Sequence, residues 1–296
     1  MTSAELAILG GPKGINRPLA RYNPIGAEEL QAASRVIESG NLSQFVGSWC
    51  ADFYGGPKVR EFEELSSEYF GVKHSVTVNS WTSGLIAAIG ALDVEPGDEI
   101  IVPTWTMCAS ATAILHWNCI PVFADIDFST YNISTDSVRE RCTDRTKAIL
   151  AVDIFGQSCD IDKLMTFAEE KGIKVITDSA QAPGAVDGRF KTGTRSHIGG
   201  FSLNYHKHIH TGEGGILVTN SDEYAERLQL IRNHGEAVVH AKGVSNISNI
   251  IGYNFRLGEI EAAIGIEQLK KLDSIVVRRQ KIADLLTSFF ASQEYI

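Results

Sequence analysis

A lysine, Lys207, stands five residues after Ser202 and five before Gly212, in the run Ser202-Leu203-Asn204-Tyr205-His206-Lys207-His208-Ile209-His210-Thr211-Gly212-Glu213-Gly214-Gly215. This framing suits covalent amine chemistry, because an amine that attacks a carbonyl must be presented beside it from a bent backbone. Twenty-nine positions earlier, Lys174-Val175-Ile176-Thr177-Asp178 reads as a buried β-branched strand ending in a carboxylate, followed by Ser179-Ala180-Gln181. A lysine for an aldehyde and a carboxylate for a ring nitrogen are the two groups that pyridoxal phosphate requires of a protein. Asp178 also has a plainer reading, since a strand-end Asp often caps the turn that follows.

Other residues fit the same chemistry. Asn79-Ser80-Trp81-Thr82-Ser83-Gly84 follows a strand and opens a helix, and a helix start with free amides and two hydroxyls is a ready phosphate site. Ordinary N-capping explains those residues equally well. Ser202 offers a further hydroxyl, or is simply a strand serine. Trp105, in Val102-Pro103-Thr104-Trp105-Thr106, lies just past a strand end, where it either stacks on a flat ring or joins the core. His206, His208 and His210 would share one face of an extended segment. Neither acidic nor cysteine partners accompany them at metal-ligand spacing, so they suit a pocket lining better than a metal centre, and no metal site is expected.

Elements that position these residues are legible as alternating patterns. Runs rich in Val and Ile at 75–78, 99–102, 121–124, 147–152, 174–177, 199–203 and 215–219 read as strands. Helical periods lie between many of them, as in Leu85, Ile89 and Leu92 or Leu164, Phe167 and Lys171. Such alternation implies a mostly parallel sheet covered by helices on both faces, with active groups at the carboxyl ends of its strands. Asn79–Thr82, Pro103–Trp105, Asp125, Asp153 and Asp178 all fall at those ends. Before the sheet, 27–38 (apolar at Leu30, Ala33, Val36 and Ile37) and 59–70 read as amphipathic helices, separated by a long Gly- and aromatic-rich loop; after it, 223–232 and 259–272 read as helices.

Composition narrows the function classes. The 296 residues are 44% apolar and 21% charged, an ordinary globular balance. With 27 basic against 36 acidic residues the net charge is −9, which argues against a general nucleic-acid binder while leaving room for a local basic pocket. Five scattered cysteines without a C-x-x-C pair indicate neither a disulfide framework nor a zinc site. The first fourteen residues lack the pattern of a signal peptide, and no run of eighteen apolar residues occurs; a cytoplasmic location without membrane contact is expected. There is no G-x-x-x-x-G-K-[ST] loop for a triphosphate and no G-x-G-x-x-G turn for a dinucleotide.

Read together and in order, Asn79-Ser-Trp-Thr-Ser-Gly-Leu, Pro103-Thr-Trp-Thr, Val122-Phe-Ala-Asp-Ile-Asp127, Thr177-Asp-Ser-Ala-Gln-Ala182, Phe201-Ser202 with Lys207, Gly212-Glu-Gly-Gly215, Arg232-Asn-His-Gly235 and Gly252-Tyr-Asn-Phe-Arg256 closely resemble the DegT-type (DegT/DnrJ/StrS) nucleotide-sugar aminotransferases. The resemblance implies an α/β, fold type I pyridoxal-phosphate transferase with a mostly parallel seven-stranded sheet between helices. It divides the chain into an N-terminal arm (1–25), a large cofactor domain (26–257), and a connecting helix that starts a small C-terminal domain (258–296) largely absent from this chain. The activity implied is transfer of an amino group from an amino acid, L-glutamate, to a keto sugar linked to a nucleotide, with pyridoxal 5′-phosphate as cofactor.

By the same resemblance Lys207 is the Schiff-base lysine, Asp178 the partner of the pyridinium nitrogen and Gln181 that of the phenolic oxygen. Trp105 stacks on the ring, and Thr82, Ser83 and Ser202 hold the phosphate. Asn254, with Arg256 as a second candidate, reaches the cofactor of a neighbouring subunit, which implies a homodimer with shared active sites. Two features depart from the family pattern. Trp81 is bulky where relatives carry a small residue, which would reshape the phosphate pocket or the sugar entrance, and 45–54 looks like an insertion able to select substrates. The alternatives are a keto-cyclitol aminotransferase, a sugar dehydratase, and a non-catalytic cofactor-binding regulator or fragment. Lys207 speaks against the dehydratase, whose members carry histidine there.

Overall fold

The computed structural model describes residues 6–248 and 250–293. Its centre is a seven-stranded sheet made of β1 (His74–Val78), β2 (Glu99–Pro103), β3 (Ile120–Ala124), β4 (Thr146–Val152), β5 (Lys174–Asp178), β8 (Ile198–Ser202) and β9 (Gly215–Thr219), in the order β1-β9-β8-β5-β4-β2-β3. A two-stranded hairpin, β6 (Val186–Asp187) with β7 (Phe190–Lys191), stands apart. β2 pairs in parallel with β3 and β4, β4 with β5, and β5 with β8. β9 alone runs against the rest, antiparallel to both β8 and β1.

Continuous apolar runs make these strands because both faces of the sheet are covered. Along β4, Leu150 and Val152 enter one core while Ile149 and Ala151 enter the opposite one, as the two-residue period of a strand requires. The first core lies beneath α3 (Trp81–Gly90), α4 (Cys108–His116) and α7 (Asp222–Arg232), where Leu85, Ile89, Ile114, Leu228 and Ile231 meet Val78, Val102 and Ile176. The second lies beneath α5 (Thr135–Arg141) and α6 (Ile161–Lys171), through Val138, Leu164 and Phe167. A third joins α2 (Pro57–Phe70) and the first half of α9 (Glu259–Ala291) to β8 and β9, through Phe62, Phe70, Phe201, Ile216 and Ile266. The short α8 (Val239–Lys242) lies beyond α7.

All seven strand runs read from the sequence are strands, their ends displaced by one residue or none. α4 and α5 carry no clear helical period and emerge only in the structure. The last helix reaches Ala291, well past the expected 272, and residues up to Leu272 pack with the sheet.

The expected apolar face of α1 (Ala27–Ser39) is corrected: Leu30 and Ile37 are 68% and 59% exposed, whereas Glu29, Ala32 and Val36 are buried. Glu29 turns inward because it accepts hydrogen bonds from Lys271 and Gln268 of α9, each at 2.8 Å, and from the Gly26 amide at 2.7 Å. The 45–54 stretch is anchored to the domain. Asn233 donates its side-chain amide to the carbonyls of Val46 and Phe53 at 3.0 and 2.9 Å, while Arg232, fully buried beside Glu63, reaches the Tyr54 carbonyl. Phe53 then packs in a small core with Leu230, Val238 and Ile250.

Candidate active site

The carboxyl ends of β1, β2, β5 and β8 surround a cleft of about 290 Å³ lined by Ser80, Trp81, Thr82, Thr106, Met107, Ala109, Asp178, Gln181, Ser202 and Lys207, among others. A larger hollow of about 480 Å³ opens elsewhere, beside Asp127, Asp136, Asp160 and Asp162, and shares none of these groups. The smaller cleft holds the chemistry, for it joins an amine, a carboxylate and a helix N-terminus.

α3 supplies the helix N-terminus. Ser80 caps it by accepting from the Ser83 amide at 3.1 Å, and the amides of Trp81 and Thr82 precede the first intrahelical bond. Those amides and the helix dipole favour an anion there. The Thr82 and Ser202 hydroxyls stand in the lining, whereas the Ser83 hydroxyl is tied to Ser80 at 2.9 Å and lies outside it. β1 is anchored behind this point by the bond from the Asn79 amide to the Phe255 carbonyl at 2.9 Å.

Asp178 ends β5 and is buried. Its Oδ1 accepts from the Trp81 indole at 2.6 Å and from the Ala180 amide at 3.2 Å, and its Oδ2 accepts from Ser110 at 2.8 Å. Burial pushes its pKa up, and the bonds from Ser110 and Trp81 oppose that shift. Directly behind it, Asp153 accepts from Ser179 at 2.5 Å and from the Cys159 amide at 2.9 Å, and burial raises its pKa to about 6.

Lys207 sits on a turn held from several sides. Its amide donates to Asn204, whose side chain donates to Glu213 at 2.7 Å; the His210 amide donates to Gln268 at 3.2 Å, and Tyr22 donates to the His208 carbonyl at 2.7 Å. Partial burial draws the lysine pKa below its ordinary value, an effect that the charge of Asp178 opposes. A larger fraction of neutral amine, the form that attacks a carbonyl, results. Burial, together with the positive Arg279 and Lys207, pulls His208 down to about 4, so it is neutral at physiological pH.

The three histidines do not share a strand face, because 205–209 is a turn. His206 lines the cleft, while His210 accepts from the Gly212 amide at 3.3 Å. No group of three or more potential ligands is placed to hold a metal among the described residues.

Trp105 is neither core nor cleft: it is 52% exposed and faces Tyr131 across 6.2 Å, outside the lining. The chain bends after Pro103, and Thr106 with Met107, the N-cap of α4 and itself exposed, lines the cleft instead. Trp81 lines the cleft at the start of α3; its indole packs in the core and directs its N–H to Asp178. Ser110 and Met107 were missed as site residues because α4 was not recognised as a helix, and Asn204 and Glu213 because they carry no signal apart from flanking Lys207.

Asn254 is exposed beside its own Asn79, which donates its side chain to the Asn254 carbonyl at 3.3 Å, and it lies outside the cleft lining. Asp178 and Ser202, which are buried, and Lys207, Thr82 and Gln181, which are not fully so, are brought together in one cleft.

Such a sheet, with lysine and carboxylate converging above a phosphate-ready helix, defines an α/β protein of the pyridoxal-phosphate transferase class. The chain belongs to the DegT/DnrJ/EryC1/StrS aminotransferase family, whose profile matches residues 25–296. It is 36% identical over 265 residues to a spore coat polysaccharide biosynthesis protein of Bacillus subtilis, covering 88% of this chain and 65% of that one. It is 38% identical over 237 residues to a GDP-perosamine synthase of Vibrio cholerae, covering 80% and 63%. The chain therefore spans just under two thirds of the length of these two relatives. A solved E. coli GDP-4-keto-6-deoxy-D-mannose-3-dehydratase with bound hydrated pyridoxal phosphate superposes with a TM-score of 0.81 at 30% identity, over 95% of this chain and 74% of that one. The fold is that of fold type I pyridoxal-phosphate transferases, as the sequence implied.

Proposed function

We propose that this chain carries the cofactor site of a pyridoxal 5′-phosphate-dependent aminotransferase that moves an amino group from L-glutamate to a keto sugar linked to a nucleotide. The single observation that carries this reading is the convergence of Lys207, Asp178 and the start of α3 on one cleft. The residues fit the cofactor. Asp178 is a buried carboxylate with no cation in ion-pair range among the described residues, so a protonated ring nitrogen would complete it.

When bound, the cofactor supplies a carbonyl for amine exchange and a ring that accepts electrons. Lys207 would hold that carbonyl and, once displaced, carry a proton between the donor's α-carbon and the adjacent cofactor carbon. Asp178 would keep the ring nitrogen protonated, because a neighbouring negative charge favours the cationic form. The Gln181 amide nitrogen would donate to the phenolic oxygen. Thr82 and Ser202, with the first amides of α3, would hold the phosphate.

The same reading covers assembly and organisation. Exposed Asn254 suits a residue offered to a neighbouring subunit, giving a homodimer with shared sites. Residues 26–257 form the large domain, joined by the start of α9, with an arm before it and a connecting helix after it. No helix among the described residues is long and apolar enough to cross a membrane, which accords with a cytoplasmic enzyme.

The test is to load the protein with pyridoxal phosphate and record its visible spectrum. Loss of the cofactor band on adding L-glutamate, followed by amination of a nucleotide-linked keto sugar seen by mass spectrometry, is expected. A band indifferent to every amino acid would overturn the enzymatic reading and leave a cofactor-holding protein.

A further inference from the structure

We propose that Trp81 is a positioning residue for Asp178: its indole N–H holds the charged carboxylate in one orientation toward the ring nitrogen of the cofactor, an inference that rests on the function proposed above. The contact is short, 2.6 Å from Nε1 to Oδ1, and the indole is only 6% exposed. The ring is seated on two glycines. A Cβ at Gly200 would come within 2.3 Å of it and one at Gly84 within 2.7 Å, so no other residue at either position leaves room for the indole as it lies. Neither glycine has a positive φ, so it is the indole and the packed backbone, rather than a backbone conformation reserved for glycine, that restrict these positions.

A buried indole must place its N–H somewhere, and that plain need is the competing explanation. Trp117 shows how a purely structural tryptophan meets it: equally buried, it donates to the main-chain carbonyl of Ile86 at 2.8 Å. Trp81 instead donates to a side-chain carboxylate at the centre of the cleft, whose second oxygen is held by Ser110 at 2.8 Å. A carboxylate gripped at both oxygens cannot swing, and neutral donors favour its charged form without neutralising it. The negative charge then remains available to the ring nitrogen.

The principal test is Trp81→Phe, which keeps most of the ring volume and removes the donor. In protein loaded with cofactor labelled with ¹⁵N in the ring, the nitrogen signal should move toward its unprotonated position. Turnover should fall roughly tenfold, the scale of one hydrogen bond to a charged group, with KM for the donor amino acid unchanged. Loss of a donor to the carboxylate favours its protonated form, so the acid limb of the activity profile should move to higher pH by about one unit. In an Asp178→Asn background the same substitution should move the nitrogen signal no further. A folded Trp81→Phe protein with an unmoved nitrogen signal and an unmoved acid limb overturns the proposal.

A second measurement needs neither Trp81→Phe nor the cofactor. With the indole nitrogens of the four tryptophans labelled, Asp178→Asn should displace one signal strongly, and displacement of none overturns the proposal. A parent protein that holds no cofactor would instead refute the function proposed above, while the indole measurement still decides the contact.

Discussion

The side-chain oxygen of Gln181 accepts a hydrogen bond from the Phe155 backbone amide at 2.8 Å. Phe155 presents that amide from a left-handed conformation, φ 56°, rare for a bulky residue and found where surrounding structure enforces it. Because only the oxygen of the Gln181 amide can accept, its NH₂ is left to donate into the cleft. Gln181→Glu keeps the acceptor and loses the donor, so turnover should fall about tenfold while the fold is retained. Steady-state rates and a melting curve of the variant check this; an unchanged rate would remove Gln181 from the cofactor site.

Lys207→Ala should abolish transamination, since the turn from Asn204 to His210 presents this lysine to the cleft. Borohydride reduction of the loaded parent, followed by peptide mapping, should place the cofactor on Lys207. Label on another lysine refutes the assignment.

Trp105→Ala should leave cofactor retention unchanged, because that ring is exposed against Tyr131 rather than within the cleft. Met107→Ala should loosen the cofactor by about 1 kcal/mol through lost contact. Dialysis rates of the two loaded variants separate these outcomes, and faster loss from Trp105→Ala would restore the stacking role.

Asn254 and Lys207 test the shared site. If Asn254 completes a neighbour's cofactor site, the separately inactive Asn254→Ala and Lys207→Ala proteins should regain part of their activity when mixed and allowed to exchange subunits. One site of the hybrid dimer would then carry both intact residues. A monomer by light scattering would count decisively against this arrangement.

Glu29, buried between Gly26, Gln268 and Lys271, makes stability depend on pH. Burial pushes its pKa up, but hydrogen bonds from Lys271 and Gln268 outweigh burial and leave it below 4.5. A folded-state pKa depressed in this way gives stability that is complete above the unfolded value and is lost as pH falls through the folded one. Glu29→Gln should therefore lower stability by about 2 kcal/mol near neutrality. Its Tm should converge on that of the parent as the pH drops below about 4.5. A constant Tm difference across that range would show that the charge of Glu29 contributes nothing.

Much of this protein was written locally in the chain. Strands buried on both faces must be apolar at successive positions, which is why runs such as Lys147–Val152 and Gly215–Thr219 declared themselves, and Lys207 and Asp178 stood out because their own flanking residues form the turn and the strand that present them. What the sequence left open depended on partners distant along the chain. Antiparallel β9 is inserted between β1 and β8, and no local pattern specifies that neighbourhood. α1 buries Glu29 instead of Leu30 because Lys271 and Gln268, more than 200 residues away, supply its charge and hydrogen bonds. Trp105 lies outside the cleft and Met107 in its lining because side-chain direction at a bend follows from how α4 docks on the sheet. Trp81 turns into the core only because Gly84, one turn along its own helix, and Gly200, from distant β8, leave room for an indole whose N–H then meets Asp178; close packing and a short hydrogen bond between remote residues are properties of the assembled fold.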